Sequence, residues 1–212
     1  MIEALSLQAR HRQLPVLTGT SLQVNAGEIV GLVGANGSGK TTLVRALAGL
    51  HPCSGTVTLG GSDVSAWPPE RRARLGLGHL DQQPSAFRGL SVRDNLRAVI
   101  EITPGADAAE VDRRADEEIA RMGLTALAAR RADRLSLGER RRLEVARVLC
   151  RRPRWLLCDE PLAGLDAAES HRVADRLRAV ARAGAAVLFA APDAPPGLCD
   201  RALTLRDGRA QS

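Results

Sequence analysis

Apolar residues recur along this chain in two rhythms that alternate from one end to the other. Residues 2–24 read as strand-rich, and Glu28-Ile29-Val30-Gly31-Leu32-Val33 is a short apolar run suited to a buried strand. From Thr42 to Leu50 the spacing turns helical, with Leu43, Ala46 and Leu47 on one face and a stop at Gly49. A short β segment at Thr56-Val57-Thr58-Leu59 ends at Gly60-Gly61. A helical stretch follows, then a strand over 155–159, a helix over 167–183, a strand over 186–190 and a last short strand at 202–205. This alternation predicts an α/β domain with a mainly parallel sheet and helices on both faces. There is no internal repeat.

Composition bounds what such a domain does. With 212 residues, 44% of them hydrophobic and 25% charged, the chain predicts one globular domain, or one domain with a lobe, with a sizeable core. No run approaches the ~18 apolar residues of a membrane span, and Met1-Ile2-Glu3-Ala4 lacks a signal layout, so a cytosolic chain is expected. Cys53, Cys150, Cys158 and Cys199 have no metal spacing and read as buried thiols of a reducing compartment. The net charge is +6, but aromatics are only 2% of the chain, which removes stacking platforms; no nucleic-acid partner is expected. Lys40 is the one lysine among the 30 basic residues. Where arginine has replaced every other lysine, the survivor marks a place that needs a compact ammonium on a flexible stem.

Lys40 lies in Gly34-Ala35-Asn36-Gly37-Ser38-Gly39-Lys40-Thr41-Thr42, between the predicted strand and helix. The spacing fits a phosphate-binding loop. Gly34, Gly37 and Gly39 let backbone N–H groups turn inward, with Asn36 and Ser38 between them, and the helix N-terminus adds partial positive charge. Lys40 is expected to reach the β- and γ-phosphates, and Thr41 to ligate Mg²⁺, with Thr42 beside it. The competing reading is an ordinary Gly-rich turn. A second half-site is expected at Trp155-Leu156-Leu157-Cys158-Asp159-Glu160, an apolar strand ending in two acids. Asp159 is placed to hold the metal through water and Glu160 to polarise an attacking water.

With these motifs placed, the chain resembles the ATP-binding cassette subunits of ABC transporters from about residue 2 to 208. The run 85–96 and Gly138-Glu139-Arg140-Arg141-Arg142 are similar to the branch that includes the ATPases of lipopolysaccharide export, with those of branched-chain amino-acid import close by. The resemblance implies a P-loop NTPase fold, with a core over residues 1–84 and 150–212, an antiparallel N-terminal β part, and a helical lobe over 85–149. It implies binding of ATP and Mg²⁺, ATP hydrolysis driving transport, and a second cassette, identical or different, packed head to tail. Leu135-Ser136-Leu137-Gly138-Glu139 matches the family's signature, so Ser136 and Gly138 would face the partner's γ-phosphate. Gln82 matches the glutamine that senses metal and γ-phosphate, and Asp166 an acid that organises the opposite site. His11 stands at the adenine-stacking position. Phe87 and Ser91–Leu96 would receive a transmembrane permease, placing the chain on the inner face of the cell membrane. Read without the family, the helix opening at Ser136 is a capped amphipathic helix with a solvated arginine face, where Glu139 and Glu144 pair with nearby arginines.

Two positions depart from the family. Leu137 replaces the first signature glycine, and Pro192-Asp193 stand where a histidine normally contacts the γ-phosphate. Proline offers no donor there and aspartate would repel phosphate. Beside the transport motor stands a second expectation: a nucleotide-dependent switch, or the degenerate half of a heterodimeric pair, that hydrolyses slowly. Lys40→Ala is expected to abolish nucleotide binding, and Lys40→Arg to fail through geometry despite keeping the charge. Calorimetric titration with ATP checks both, and tight binding by Lys40→Ala contradicts the phosphate-loop reading.

Overall fold

The computed structural model describes residues 1–102, 107–195 and 197–211. Its first two strands, β1 (Ile2–His11) and β2 (Leu14–Val24), form an antiparallel hairpin. After β3 (Ile29–Val33) and α1 (Lys40–Ala48), strand β4 (Ser54–Leu59) returns to the free edge of β1 and is followed by β5 (Ser62–Asp63), giving the order β2-β1-β4-β5. Ile2, Ala4, Leu7, Val57 and Leu59 are buried on this sheet, whereas Glu3, Leu5 and Ser54 are not. That alternation is the mark of a sheet with one covered face.

The central strands of the larger sheet have no such alternation. This sheet adds β6 (Leu77–Leu80), β7 (Trp155–Asp159), β8 (Ala186–Ala190), β9 (Arg201–Arg206) and β10 (Arg209–Gln211) to β3, in the order β10-β9-β3-β8-β7-β6. All its neighbours run parallel except β10 with β9. Every residue of β7 and β8 is buried, as expected for strands covered on both faces. Parallel register has a positional consequence. Leu32 pairs with Ala190, and Ala190 with Asp159, so the carboxyl ends of β3, β8 and β7 lie at one edge of the sheet. Ligands of open parallel sheets bind at such an edge.

Helix α1 leaves that edge and ends at Gly49, whose left-handed φ of 79° returns its N–H to the carbonyls of Ala46 and Arg45. Its last turn is held by an arginine from α2 (Pro69–Leu75). Arg72 is 2% exposed and spends its donors on four carbonyls: Ala46 at 3.0 Å, Leu47 at 2.7 Å, Trp67 at 3.0 Å and Ser65 at 3.0 Å. A cation at a helix C-terminus also complements the helix dipole.

The chain divides into two compact units, one of residues 1–82, 154–160 and 178–212 and the other of 83–153 and 161–177. The second unit is helical. Helices α3 (Val92–Glu101), α4 (Ala108–Arg121) and α5 (Leu137–Leu149) each begin with a side-chain cap, from Ser91, Asp107 and Ser136. Helix α6 (Ala167–Arg182) starts in this unit. Glu118 of α4 is 1% exposed and takes both Nε and Nη2 of Arg176, each at 2.7 Å. Cys150 is buried in the same unit, and burial pushes its thiol up to about 12.

Two expectations are corrected. The arginines of α5 do not form a solvated face: Arg141 is 6% exposed and paired with buried Glu144 at 3.2 Å. Arg142 turns inward to Glu169 and to the carbonyls of Met122 and Gly123. The long stem and planar fork let the guanidinium reach acceptors just after α4 and in α6. Of the cysteines, Cys150 and Cys158 are buried, but Cys53 and Cys199 are only half-buried. Among the described residues no helix is long and apolar enough to cross a membrane. Arg72→Ala is expected to cost on the order of 3–5 kcal/mol, because it leaves four buried or half-buried carbonyls without a charged donor. Urea unfolding monitored by circular dichroism measures that loss.

Candidate nucleotide site

The turn between β3 and α1 is shaped by what a side chain would strike. Gly34 has φ 152°, and a Cβ there would lie 2.6 Å from the Leu205 carbonyl oxygen and 3.0 Å from Ser38 Oγ. Gly39 has φ 103°, and its Cβ would lie 2.9 Å from Val16 Cγ1. Glycine alone fits both positions without displacing backbone or core. Asn36 and Gly37 are exposed at the tip, while Ser38 is half-buried with an Oγ that has no hydrogen-bond partner among the described residues. Lys40, at the first position of α1, is 6% exposed, and its Nζ donates to Gly34 O at 2.6 Å and Ala35 O at 3.0 Å. The ammonium is therefore curled into the loop, with a third donor still to place. Thr41 and Thr42 follow it, both half-buried.

Across the sheet edge stands Asp159, 1% exposed at the end of β7. Burial pushes its carboxyl up, and the charges of Glu160 and Asp81 add to this, while a hydrogen bond with Thr41 and the Lys40 ammonium pull the other way. A buried carboxylate with acidic neighbours and a threonine hydroxyl beside it is a donor set of hard oxygens suited to Mg²⁺. Glu160 has φ 48°, unusual for a side chain of its kind, and its N–H is tied to Ala190 O at 2.8 Å. This turn swings the Glu160 carboxylate away from the strand, where Gln82 Nε2 donates to Oε2 at 3.2 Å. The structure thus brings Lys40, Thr41, Asp159, Glu160 and Gln82 to one edge of the sheet. The residues that follow β8 reach the same place: the N–H of Gly34 donates to Pro192 O at 3.3 Å, with the side chains of Pro192 and Asp193 exposed.

The other candidates lie elsewhere. His11 is exposed at the tip of the β1–β2 hairpin, opposite Leu14. Ser136 caps α5: its Oγ accepts from the N–H of Glu139 at 3.2 Å, and its own N–H donates to Glu139 Oε2 at 2.8 Å. Gly138, in the same turn, is buried, whereas Leu137 is 65% exposed. Phe87 is 45% exposed, with the guanidinium of Arg147 over its ring at 4.3 Å. Buried Asn95 accepts from Phe87 N at 2.8 Å and donates to Phe87 O at 3.0 Å, fixing the backbone from which that ring projects. One side chain passed over in the sequence is Glu169, which lies against Gly138. The D-x-x-E spacing of Asp166 and Glu169 at a helix start was the available signal.

The raised carboxyl of Asp159 carries a stability cost with a defined sign. Its folded value lies above the unfolded one, so the folded chain binds the proton more tightly and stability falls as pH rises through that interval. Asp159→Asn is expected to raise the melting temperature of the nucleotide-free protein at pH 7.5 and to weaken Mg-ATP binding. The thermal gain should vanish below the ordinary carboxylate range of about 4. Melting curves taken at both pH values check it, and a lower melting temperature at pH 7.5 contradicts it.

Comparison with known proteins identifies the company this geometry keeps. The protein family described as ABC transporter matches residues 17–163. A lipopolysaccharide export system ATP-binding protein, LptB, of Acidithiobacillus ferridurans is 39% identical over 212 residues, covering 99% of this chain and 88% of the relative. LptB of Escherichia coli strain K12 is 42% identical over 166 residues, 78% of this chain and 69% of that one. A solved ATP-binding subunit of an ABC transporter superposes with a TM-score of 0.89 at 24% identity, over 100% of this chain and 88% of its own. A cassette dimer in a post-hydrolysis state bound to ADP and Pi gives 0.90 at 22% identity, over 100% and 97%. These structures share the fold. On the family match and the sequence identities, the chain belongs to the ATP-binding subunits of ABC transporters, which bind ATP and hydrolyse it in coupling to transport.

Proposed function

We propose that this chain is one half of a cassette pair that closes on ATP to drive a membrane permease, with a turnover well below that of relatives carrying the missing histidine. The observation that carries the reading is the convergence of Lys40, Thr41, Asp159, Glu160 and Gln82 on the sheet edge where β3, β7 and β8 end. Lys40 leaves the carbonyls of Gly34 and Ala35 for the β- and γ-phosphates. The inward N–H groups of 34–41, Ser38 Oγ and the α1 N-terminus hold the remaining phosphate charge. Thr41, Gln82 and Asp159 would hold Mg²⁺, which when bound would supply Lewis-acid screening of the phosphate charge. Glu160 accepts the proton of the attacking water, and its hydrogen bond with Gln82 fixes the carboxylate for that task. His11 stacks on the base. In the assembled pair, Ser136 and Gly138 of each chain face the nucleotide of the other.

The names of the relatives support lipopolysaccharide or a lipid of similar build as the cargo of the associated permease. Exposed Phe87 and, within Ser91–Leu96, exposed Arg93 and Asp94 supply the docking surface for that permease, on the inner face of the cell membrane, while Val92, Asn95 and Leu96 are buried beneath it.

A second reading, of a slow nucleotide-dependent switch or a degenerate half-site, is favoured by the loop after β8. Its backbone is already bonded to the phosphate loop through Gly34 N and Pro192 O, so the chain arrives at the right place without a donor side chain. The loss of one preorganised donor typically costs ~10²–10³ in rate. Glu160→Gln is expected to bind ATP, hydrolyse it negligibly and elute as a dimer with Mg-ATP on a sizing column; a monomer that hydrolyses normally contradicts the role and the pairing. Pro192→His combined with Leu137→Gly is expected to raise phosphate release by about 10²-fold, and no increase in a folded variant counts against the slow-turnover reading.

A further inference from the structure

The signature glycine at 138 is filled from within its own unit. A Cβ on Gly138 would lie 2.3 Å from Glu169 Oε2, 2.7 Å from Oε1 and 2.8 Å from Cδ, so the glutamate carboxylate occupies the space that a side chain would take. Gly138 is buried for that reason, at the start of a helix whose first turn is otherwise open. The same carboxylate makes two further contacts. Its Oε2 accepts from the N–H of Asp166 at 3.3 Å, and the N–H of Glu169 donates in return to Asp166 Oδ1 at 2.8 Å. Its Oε1 lies 3.2 Å from Arg142 Nη2, in α5. Arg142 is itself anchored, with Nη1 donating to Met122 O at 2.9 Å and Gly123 O at 3.2 Å. A second contact lies nearby: Leu137 Cδ2 would be 3.1 Å from a Cβ on Gly164.

We propose that Glu169 is a positioning residue that joins the Asp166 turn to the first turn of α5, so that Ser136, Gly138 and Asp166 meet the facing nucleotide as one rigid element. The inference rests on the cassette-pair reading. Capping α6 requires only the exchange between Asp166 and Glu169. It does not require the carboxylate to lie on the Cα of a glycine in another helix, nor to be held there by an anchored arginine. Two helix N-termini share one negative charge, which their partial positive charges favour. Each contact alone is worth little on a partly exposed group. Their joint effect is geometric: moving Glu169 takes the partner from the N–H of Asp166 and from Arg142 Nη2 and opens the space above Gly138 together. A side chain at 138 would displace the end of Glu169, and with it the contacts to Asp166 and Arg142.

The test uses the full chain carrying Glu160→Gln, with two readouts: ATP affinity of each chain by calorimetry, and the dissociation constant of the Mg-ATP dimer by sedimentation. Adding Glu169→Ala is expected to weaken the dimer about tenfold, as loss of a coupled contact does, while ATP affinity and melting temperature stay near the parent values. Glu169→Gln keeps both capping hydrogen bonds and loses the charge, so it should fall between the two and remain folded if the alanine variant does not. An unchanged dimer constant in either folded variant overturns the proposal. So does a parallel fall in ATP affinity, melting temperature and dimer strength, which marks a purely structural role. A Glu160→Gln parent that binds ATP and never dimerises removes the cassette-pair reading itself, before Glu169 is varied.

Discussion

The Lys40 ammonium, curled into the carbonyls of Gly34 and Ala35, is the contact on which the site depends. A cation buried at the start of a helix opposes the helix dipole, so α1 gains nothing from Lys40 as a structural element. It is tolerated because the loop supplies two carbonyl oxygens at short range and because the Asp159 carboxylate lies across the sheet edge. Everything nearby is arranged to allow this. The glycines at 34 and 39 clear space beside Leu205 and Val16, and the parallel register of β3, β8 and β7 brings the two charged residues to the same edge. Arg72, at the other end of α1, puts its positive charge where the dipole favours it.

The site is accordingly a place of stored electrostatic cost. Asp159 is buried among acidic neighbours, Ser38 Oγ lacks a partner among the described residues, and Glu160 holds a left-handed φ. Each of these is unfavourable in isolation. A triphosphate with a divalent cation would relieve the first two, by supplying an acceptor to the Ser38 hydroxyl and positive charge to the Asp159 carboxylate, whereas the backbone cost at Glu160 would remain. The helical unit shows the opposite economy. Its buried charges are matched pair by pair, as Glu118 is by Arg176 and Glu144 by Arg141, which is how a rigid scaffold is built and not how a ligand site is left open.

How much of this was legible in the sequence follows from the range of each interaction. The phosphate loop could be read because its chemistry is local: glycines, lysine and threonine within nine residues, flanked by a strand and a helix. Asp159 and Glu160 could be read from a strand ending in acids, though the left-handed φ of Glu160 could not. Helix α2 and strand β6 are short and lack a clear period, and so escaped notice. The arginines of α5 were misread as solvated because three adjacent charges suggest an outer face. Arg141 pairs with Glu144 three positions on, as helical spacing allows, but the partners of Arg142, namely Glu169, Met122 and Gly123, lie about twenty or more positions away, beyond any pattern along the helix. The burial of Gly138 under Glu169 belongs to the same class: a contact between two helix starts that share no sequence neighbourhood.

The central claim is that the chain binds nucleotide through a complete cradle yet lacks the side-chain donor that speeds its hydrolysis. Rapid mixing of the unmodified protein, in excess over Mg-ATP, separates the two steps, with binding followed by a fluorescent nucleotide and chemistry by acid quench. The account predicts full binding followed by slow formation of ADP, with bound ATP persisting for many seconds. Conversion of the bound ATP within a fraction of a second contradicts it and requires that another group does the work assigned here to the missing histidine.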